Sequence, residues 1–92
     1  MLKSFEELVN IIRDRKNSNL EKSYTGQLLN DKKMNVAKVN EEVRELIEAI
    51  QKNHNQVHEA ADVLYHLLVL LEGSDIKIED VMQELKKRQN GI

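Results

Sequence analysis

The chain has 92 residues, no cysteine, no proline and a formal net charge of −2, and these values exclude several classes of protein. A chain of this length is expected to form a single domain over residues 1–92. The lack of cysteine excludes disulfides, thiolate metal sites and cysteine nucleophiles, and the slightly acidic balance argues against binding to nucleic acid. No signal peptide is visible, and the apolar run over residues 63–71 is shorter than the ~20 residues of a membrane helix. We expect a soluble, cytoplasmic protein that does not enter a membrane.

The first half of the chain predicts one longer and one short helix. The longer helix is predicted to begin at Ser4, because Ser4 and Glu7 have the spacing of a capping box. It is expected to end in the polar stretch 14–22. A short helix or turn is predicted over residues 23–29, followed by a lysine-bearing loop over residues 30–33.

Three more helices are predicted in the second half. A long amphipathic helix is expected over residues 35–52, and Asn55 is the predicted N-cap of a helix over residues 56–72 that is apolar nearly all round. Gly73 is the predicted C-cap of that helix, and a last helix is expected over residues 78–89. The sequence therefore predicts an all-α helical bundle of four main helices plus one short helix, with a core thin enough to favour oligomerisation.

Two pairs of carboxylates are the strongest functional signal. Glu42 and Glu45 lie in one predicted helix, and Glu59 and Asp62 lie in the next. Each pair is spaced i, i+3, so its two carboxylates share one helix face. Antiparallel packing of the two helices would bring the four acids together in an all-oxygen site of the kind that Mg²⁺ prefers, with Mn²⁺ as a substitute. Asp62 lies among apolar residues, where we expect it to be buried and to need a partner.

The same residues also allow a purely structural interpretation. A glutamate-rich segment such as residues 41–48 is typical of a solvated helix face. Asp62 could form a salt bridge with Lys38 or Arg44 instead of binding a metal.

The order of these motifs resembles a known pattern. Glu-Glu-x-x-Glu followed by Glu-x-x-Asp is similar to the signature of the all-α nucleotide pyrophosphohydrolases, the superfamily that includes the MazG-type enzymes. Within it, the chain more closely resembles the phosphoribosyl-ATP pyrophosphohydrolase family. Matching motifs lie at residues 23–25 (Ser-Tyr-Thr), 38–45, 59–71 and 79–88, and the resemblance covers about residues 20–89. Asn40 stands where the family usually has glycine.

The resemblance implies an activity, a cofactor and a set of roles. The activity is Mg²⁺-dependent hydrolysis of phosphoribosyl-ATP to phosphoribosyl-AMP and pyrophosphate, the second step of histidine biosynthesis, by a homodimer. Glu42, Glu45, Glu59 and Asp62 are the implied metal ligands. Glu41 is the candidate for a residue that orients the attacking water or acts as its base, with an outward-facing surface acid as the alternative. His66 is expected either to support Asp62 or to be a buried histidine with satisfied hydrogen bonds. The candidates for substrate binding are Ser23, Tyr24, Thr25, Lys33 and Lys38.

Two alternatives remain open. The first is a house-cleaning enzyme of the same superfamily that hydrolyses other nucleoside triphosphates. The second is a non-catalytic helical dimerisation module, which would suit the apolar helical stripes but would leave the carboxylate pairs without a role.

Overall fold

The computed structural model describes residues 2–17 and 23–92, and this part of the chain contains helices and turns but no strand. Its α-helices are α1 (Leu2–Asn17), α2 (Tyr24–Leu29), α3 (Lys32–Lys52), α4 (Gln56–Gly73) and α5 (Ile78–Lys87), and a 3-10 turn follows at Gln89–Gly91. The prediction of an all-α fold with four main helices and one short helix is confirmed. None of the described helices is both long enough and apolar enough to cross a membrane.

The hairpin of α3 and α4 is the centre of the fold, and α1 and α2 pack against α4. The short connection over residues 53–55 makes α3 and α4 antiparallel neighbours. The core lies where α1, α2 and α4 meet, and its buried side chains are Val9, Ile12, Leu28, Leu68 and Val69. This core holds in place the helix that carries the second pair of carboxylates.

The start of α3 contacts the end of α4 through a buried amide. The Asn35 side chain is 1% exposed, and its Nδ2 donates a hydrogen bond to the carbonyl oxygen of Val69 over 3.3 Å. A Cβ atom at Gly73 would lie 3.2 Å from that nitrogen, so the missing side chain permits the close approach. Gly73 is the last residue of α4 and Ser74 is the C-cap, so the predicted cap is displaced by one position.

The first helix begins earlier than predicted and ends inside the polar stretch that was predicted to end it. It starts at Leu2, so Ser4 lies inside the helix and the predicted capping box there is wrong. It continues to Asn17 because its last turns are anchored to the end of α4: Arg13 Nε lies 2.8 Å from Glu72 Oε1, and Lys16 donates to Asp75 Oδ1 over 2.6 Å. The rest of the predicted polar connection, residues 18–22, lies outside the described residues.

The long helix α3 also begins before its predicted start. Asp31 is the N-cap, and its Oδ1 accepts a hydrogen bond from the Met34 amide over 3.0 Å. Lys32 and Lys33 therefore lie in the first helical turn rather than in a loop. At the other end of α3 the chain turns through Asn55, which has a φ of 61° and forms no side-chain cap hydrogen bond. Asn55 thus turns the chain by its left-handed conformation, not by the capping bond that the sequence predicts.

Candidate metal centre

Three of the predicted metal ligands come together across the α3–α4 hairpin. Glu42 and Glu45 project from α3, and Glu59 projects from the first turns of α4. Ligand oxygens of the three carboxylates all lie within 4.8 Å of one another. The i, i+3 spacing on α3 and the antiparallel partner helix account for this arrangement.

Asp62 belongs to a second, adjoining group. Oxygens of Asp62 and Glu59 and a nitrogen of His58 also lie within 4.8 Å of one another, so Glu59 is common to both groups. The Asp62 side chain is 37% exposed. The expectation that Asp62 is buried is therefore wrong. The error arises because an apolar stretch of α4 does not imply burial. Leu64, in the same stretch, is 53% exposed.

The structural salt bridge considered for Asp62 is not formed with either candidate residue. Lys38 instead pairs with Glu41, with 3.1 Å between Nζ and Oε2. The ion-pair partner of Asp62 in the described part of the chain is His58, with 3.4 Å between Nε2 and Oδ2. Among the described residues, therefore, Asp62 forms no ion pair with a lysine or an arginine that would hold it away from the acidic cluster.

The buried carboxylate of the cluster is Glu42, which is 7% exposed. Burial raises the pKa of its carboxyl, and the negative charges of Glu45 and Asp62 raise it further. Burial and Glu45 raise the pKa of Glu59 in the same direction. Neither Glu42 Oε2 nor Glu59 Oε2 has a hydrogen-bond partner among the described residues. A hard divalent cation would supply the missing partner to both oxygens and relieve the repulsion, so the residues present fit such an ion.

His66 lies beside this cluster and is held by two contacts. Its Nδ1 lies 2.7 Å from the carbonyl oxygen of Asp62. Because a carbonyl only accepts, Nδ1 carries the proton in this contact, and the tautomer with its single proton on Nδ1 has an Nε2 that accepts from the Tyr24 hydroxyl, 2.9 Å away. His66 therefore contacts the Asp62 backbone, not its carboxylate. Burial raises the pKa of Tyr24, which keeps its hydroxyl a donor.

The remaining substrate-binding candidates lie at different distances from the cluster. Ser23 caps α2, its Oγ accepting from the Gly26 amide over 2.9 Å. The Thr25 hydroxyl forms a hydrogen bond with that of Tyr65. Lys33 is exposed at the start of α3, roughly two and a half turns before Glu42. The structure thus brings α2 close to the cluster and leaves Lys33 at its periphery.

One residue of the site is absent from the sequence-based predictions. His58 directly precedes Glu59 and stands at i−4 from Asp62, so on a helix it shares a face with Asp62. That spacing is visible in the sequence.

The fold and the site define a class: an all-helical protein in which an antiparallel hairpin carries a cluster of carboxylates suited to a hard cation. The sequence model described as phosphoribosyl-ATP pyrophosphohydrolase matches residues 5–89. The chain belongs to this family, and it is a hydrolase that acts on an anhydride bond. The predicted family and enzyme class are confirmed.

Curated relatives align with most of this chain. A phosphoribosyl-ATP pyrophosphatase of Methanococcoides burtonii is 40% identical over 89 residues, which cover 91% of this chain and 90% of the relative. One of Clostridium acetobutylicum is 43% identical over 91 residues, covering 94% and 81%. The histidine biosynthesis bifunctional protein HisIE of Pyrococcus furiosus is 40% identical over 89 residues, covering 96% of this chain and 42% of the relative.

Proposed function

We propose that this chain hydrolyses phosphoribosyl-ATP to phosphoribosyl-AMP and pyrophosphate in the cytoplasm, as a step of histidine biosynthesis. The observation that carries the proposal is the cluster of Glu42, Glu45 and Glu59, whose ligand oxygens lie within 4.8 Å of one another. Family membership over residues 5–89 supports the choice of substrate.

Mg²⁺ is the cofactor that we propose, with Mn²⁺ as a substitute. Glu42, Glu45, Glu59 and Asp62 are its proposed ligands, and the unpartnered oxygens of Glu42 and Glu59 support the assignment. When bound, the ion supplies charge neutralisation for the triphosphate and lowers the pKa of a coordinated water. A cavity of about 260 Å³ beside Glu45 and Glu59 offers room for part of the phosphate chain.

Glu41 and Lys38 are proposed to act as a pair at the edge of the cluster. Lys38 Nζ lies 3.1 Å from Glu41 Oε2, and its charge interacts with that of Glu42 as well. We assign Lys38 to a phosphate oxygen of the substrate. Glu41 accepts a proton from the water that attacks the α-phosphorus, and pyrophosphate leaves as the bond to the β-phosphate oxygen breaks.

The Ser-Tyr-Thr segment is proposed to form the nucleotide side of the site. Ser23 acts by capping α2, and the hydrogen bonds of Tyr24 to His66 and of Thr25 to Tyr65 hold α2 against α4. The Tyr24 side chain remains 45% exposed, so one part of its ring is available to the ribose or the base. Lys33 is proposed to contact the phosphates from the start of α3.

We further propose that the enzyme is a homodimer joined through the hairpin. Val43, Ile47 and Ile50 of α3 follow one another at i, i+4, i+7 and are all at least 37% exposed. Such a stripe is typical of a helix face that packs on another surface. Exposed apolar residues of α4 extend it: Val57, Leu64 and Leu67. A second copy of the hairpin would bury this surface.

Pyrophosphate release tests the proposal directly. The protein is stripped of metal with EDTA and assayed with phosphoribosyl-ATP, ATP and a panel of deoxynucleoside triphosphates, before and after addition of Mg²⁺. We expect phosphoribosyl-AMP and pyrophosphate only with Mg²⁺, and a kcat/KM for phosphoribosyl-ATP at least about 100-fold above that for ATP, since contacts to the added ribose phosphate exist only in that complex. Equal rates on common triphosphates would indicate a house-cleaning enzyme, and no release from any substrate would indicate a non-catalytic module.

A further inference from the structure

Three rings of α2 and α4 form a group beside the acidic cluster. Tyr24 belongs to α2, and Tyr65 and His66 are neighbours on α4. The planes of the two tyrosine rings are 20° from parallel, with 6.3 Å between their centroids. The His66 ring is nearly perpendicular to both, with its centroid 4.9 Å from that of Tyr65 and 5.8 Å from that of Tyr24. Aromatic pairs prefer such arrangements, so the rings hold one another in fixed orientations.

Much of the Tyr24 ring is left uncovered by this group. Carbon atoms in contact lie about 3.5–4.0 Å apart, so a centroid distance of 6.3 Å means that the two nearly parallel tyrosine rings are displaced sideways. Tyr24 is accordingly 45% exposed, whereas His66 is 5% exposed. An exposed aromatic face that is fixed in orientation is a surface on which a nucleobase can stack.

Tyr65 connects the Tyr24 ring to the body of the fold. The Tyr65 side chain packs against the buried core, and its hydroxyl forms a hydrogen bond with that of Thr25, the residue after Tyr24 on α2. Tyr24 itself donates to His66 Nε2 over 2.9 Å. The orientation of the Tyr24 ring therefore depends on Tyr65 in two ways, through the contact between the rings and through the attachment of α2.

The Tyr24 ring lies near the residues proposed to bind the metal and the phosphates. Burial raises the pKa of Tyr24, and the charges of Lys38 and Glu42 also act on it, the first lowering and the second raising it. Such effects weaken with distance, so these groups are close to the hydroxyl. The ring of His66, which accepts from that hydroxyl, lies 2.7 Å through Nδ1 from the carbonyl oxygen of Asp62. A nucleotide whose phosphates lie at the carboxylates can therefore place its base over Tyr24.

We propose that the base of the substrate stacks on the exposed face of Tyr24, and that Tyr65 is the positioning residue that fixes this face and so favours a purine over a pyrimidine. A purine has the larger ring system and buries more apolar surface against a tyrosine ring. The inference rests on the proposed function and deepens it, because it gives Tyr24 to the base and assigns a role in specificity to Tyr65. The carboxylates and their ion keep the roles already proposed.

Nuclear magnetic resonance tests the stacking apart from the metal and the phosphates. The chain has two tyrosines, so protein labelled with ¹³C-tyrosine gives ring signals from Tyr24 and Tyr65 alone. The probes are adenosine, cytidine and ribose in EDTA, which carry no phosphate that the carboxylates would repel. We expect adenosine to move the Tyr24 ring-proton signals upfield, and to do so at lower concentration than cytidine, while ribose has no effect. Unmoved Tyr24 signals with all three probes, or equal affinity for adenosine and cytidine, would overturn the proposal.

Variants test the two roles separately, with the affinity measured from the adenosine resonances. Tyr24→Leu should lower the affinity for adenosine by about fivefold or more, the smallest usual loss when a base loses its stacking partner. Tyr65→Leu and Tyr65→Met remove the neighbouring ring and should lower it by about twofold or more, the smallest usual effect of losing an aromatic pair. Both should also reduce the preference for adenosine over cytidine. Tyr65→Phe keeps the ring and should recover most of that preference.

Steady-state kinetics distinguishes positioning of the base from a general loss of structure. With phosphoribosyl-ATP and Mg²⁺, Tyr65→Leu or Tyr65→Met should raise KM with little change in kcat, as the loss of uniform binding does. Phe5→Leu is the matched control, because Phe5 also packs against the core but lies on α1; it should change neither KM nor the affinity for adenosine. Circular dichroism confirms that each variant is folded, and two replacements of Tyr65 are used so that one unfolded variant does not end the test.

The outcomes separate this inference from the proposed function. Mg²⁺-dependent release of pyrophosphate from phosphoribosyl-ATP by a protein whose Tyr24 signals ignore adenosine refutes the stacking and leaves the proposed function intact. An unchanged KM and an unchanged preference for adenosine in folded Tyr65→Leu or Tyr65→Met refute the role of Tyr65. Movement of the Tyr24 signals by adenosine without hydrolysis of any triphosphate refutes the proposed function and supports a purine-binding surface at Tyr24.

Discussion

The hydroxyl group of Tyr24 donates a hydrogen bond to Nε2 of the buried His66 over 2.9 Å, and this contact joins the short helix α2 to the helix that carries Glu59 and Asp62. The opposite nitrogen of the same ring is bound to the Asp62 backbone. The imidazole is therefore a rigid link between the nucleotide side of the proposed site and its metal side.

Removal of that hydroxyl tests the link. We expect Tyr24→Phe to destabilise the protein by about 1 kcal/mol, because Nε2 of His66 is left without a donor in a buried position. In a chain of this size the midpoint of thermal unfolding should fall by about 4–8 °C. The KM for phosphoribosyl-ATP should rise more than kcat falls, since α2 is loosened while the carboxylates keep their positions. Unchanged stability and KM would contradict the link.

Glu42→Gln should raise the stability of the metal-free protein and lower its turnover. The amide removes a buried like charge from the cluster, so the metal-free protein should unfold at a higher temperature than the unaltered one. Turnover should fall by more than about 100-fold, since loss of an outer partner of a metal ligand alone costs up to that factor. Thermal unfolding and pyrophosphate release measure the two effects. Glu84→Gln is the control, because Glu84 lies exposed on α5 and pairs with Arg88; it should leave activity unchanged.

The metal-free protein should gain stability on mild acidification. The pKa values of Glu42 and Glu59 are raised in the folded chain above the ordinary 4.5. An acid with a raised folded pKa binds its proton more tightly when folded, so the free energy of unfolding increases as the pH falls through the folded value towards 4.5. Urea unfolding in EDTA between pH 7.5 and 5 measures this trend. Saturating Mg²⁺ should remove it, and a metal-free stability that falls over the same range would contradict it.

Stronger acid should act in the opposite direction through Glu79. Its hydrogen bonds with Arg13 lower its pKa to about 2. A lowered folded pKa contributes stability above the unfolded value of 4.5, and that contribution is lost as the pH falls from there towards 2. Glu79→Gln should therefore lose less stability than the unaltered protein between pH 4.5 and 2.5 in urea unfolding. Glu84→Gln is the control on α5, since its pair with Arg88 lies within one exposed helix.

The roles proposed for Lys38 and Glu41 predict that substitution of Glu41 mainly affects kcat and substitution of Lys38 mainly affects KM. Glu41→Gln should lower kcat by about 100-fold or more, the usual loss when a general base is removed. Lys38→Met should raise KM mainly, because it removes a phosphate contact. Arg44→Met removes a cation from an exposed position of the same helix and should change neither parameter. A Glu41→Gln variant with full kcat would exclude Glu41 as the base.

Much of the site could be predicted because it depends on helical spacing. Two i, i+3 pairs and one short connection were sufficient to expect that Glu42, Glu45 and Glu59 would meet. The exposure of Asp62 could not be predicted, since it depends on which parts of α4 the other helices leave uncovered. Leu64, only two residues further on, is exposed for the same reason.

The start of α3 and the contribution of His58 illustrate two other limits. The sequence places Lys33 in a loop, because a lysine-rich polar segment is typical of one. In the structure Lys33 lies in α3, because Asp31 caps the helix by accepting a hydrogen bond from the Met34 amide. His58 was overlooked because a histidine next to an acid is common on exposed helices. Its significance appears only when the distances to Glu59 and Asp62 are known.

The hydrogen bond from Asn35 to Val69 has a consequence at the opposite end of the hairpin. It ties the start of α3 to the end of α4, and a shift of α4 along α3 by one turn would break it and move each α4 residue by about 5.4 Å. Such a shift would carry Glu59 out of reach of Glu42 and Glu45. Gly73 leaves room for the amide that forms this bond: a Cβ atom there would lie 3.2 Å from the amide nitrogen, and the amide would have to move by a few tenths of an ångström.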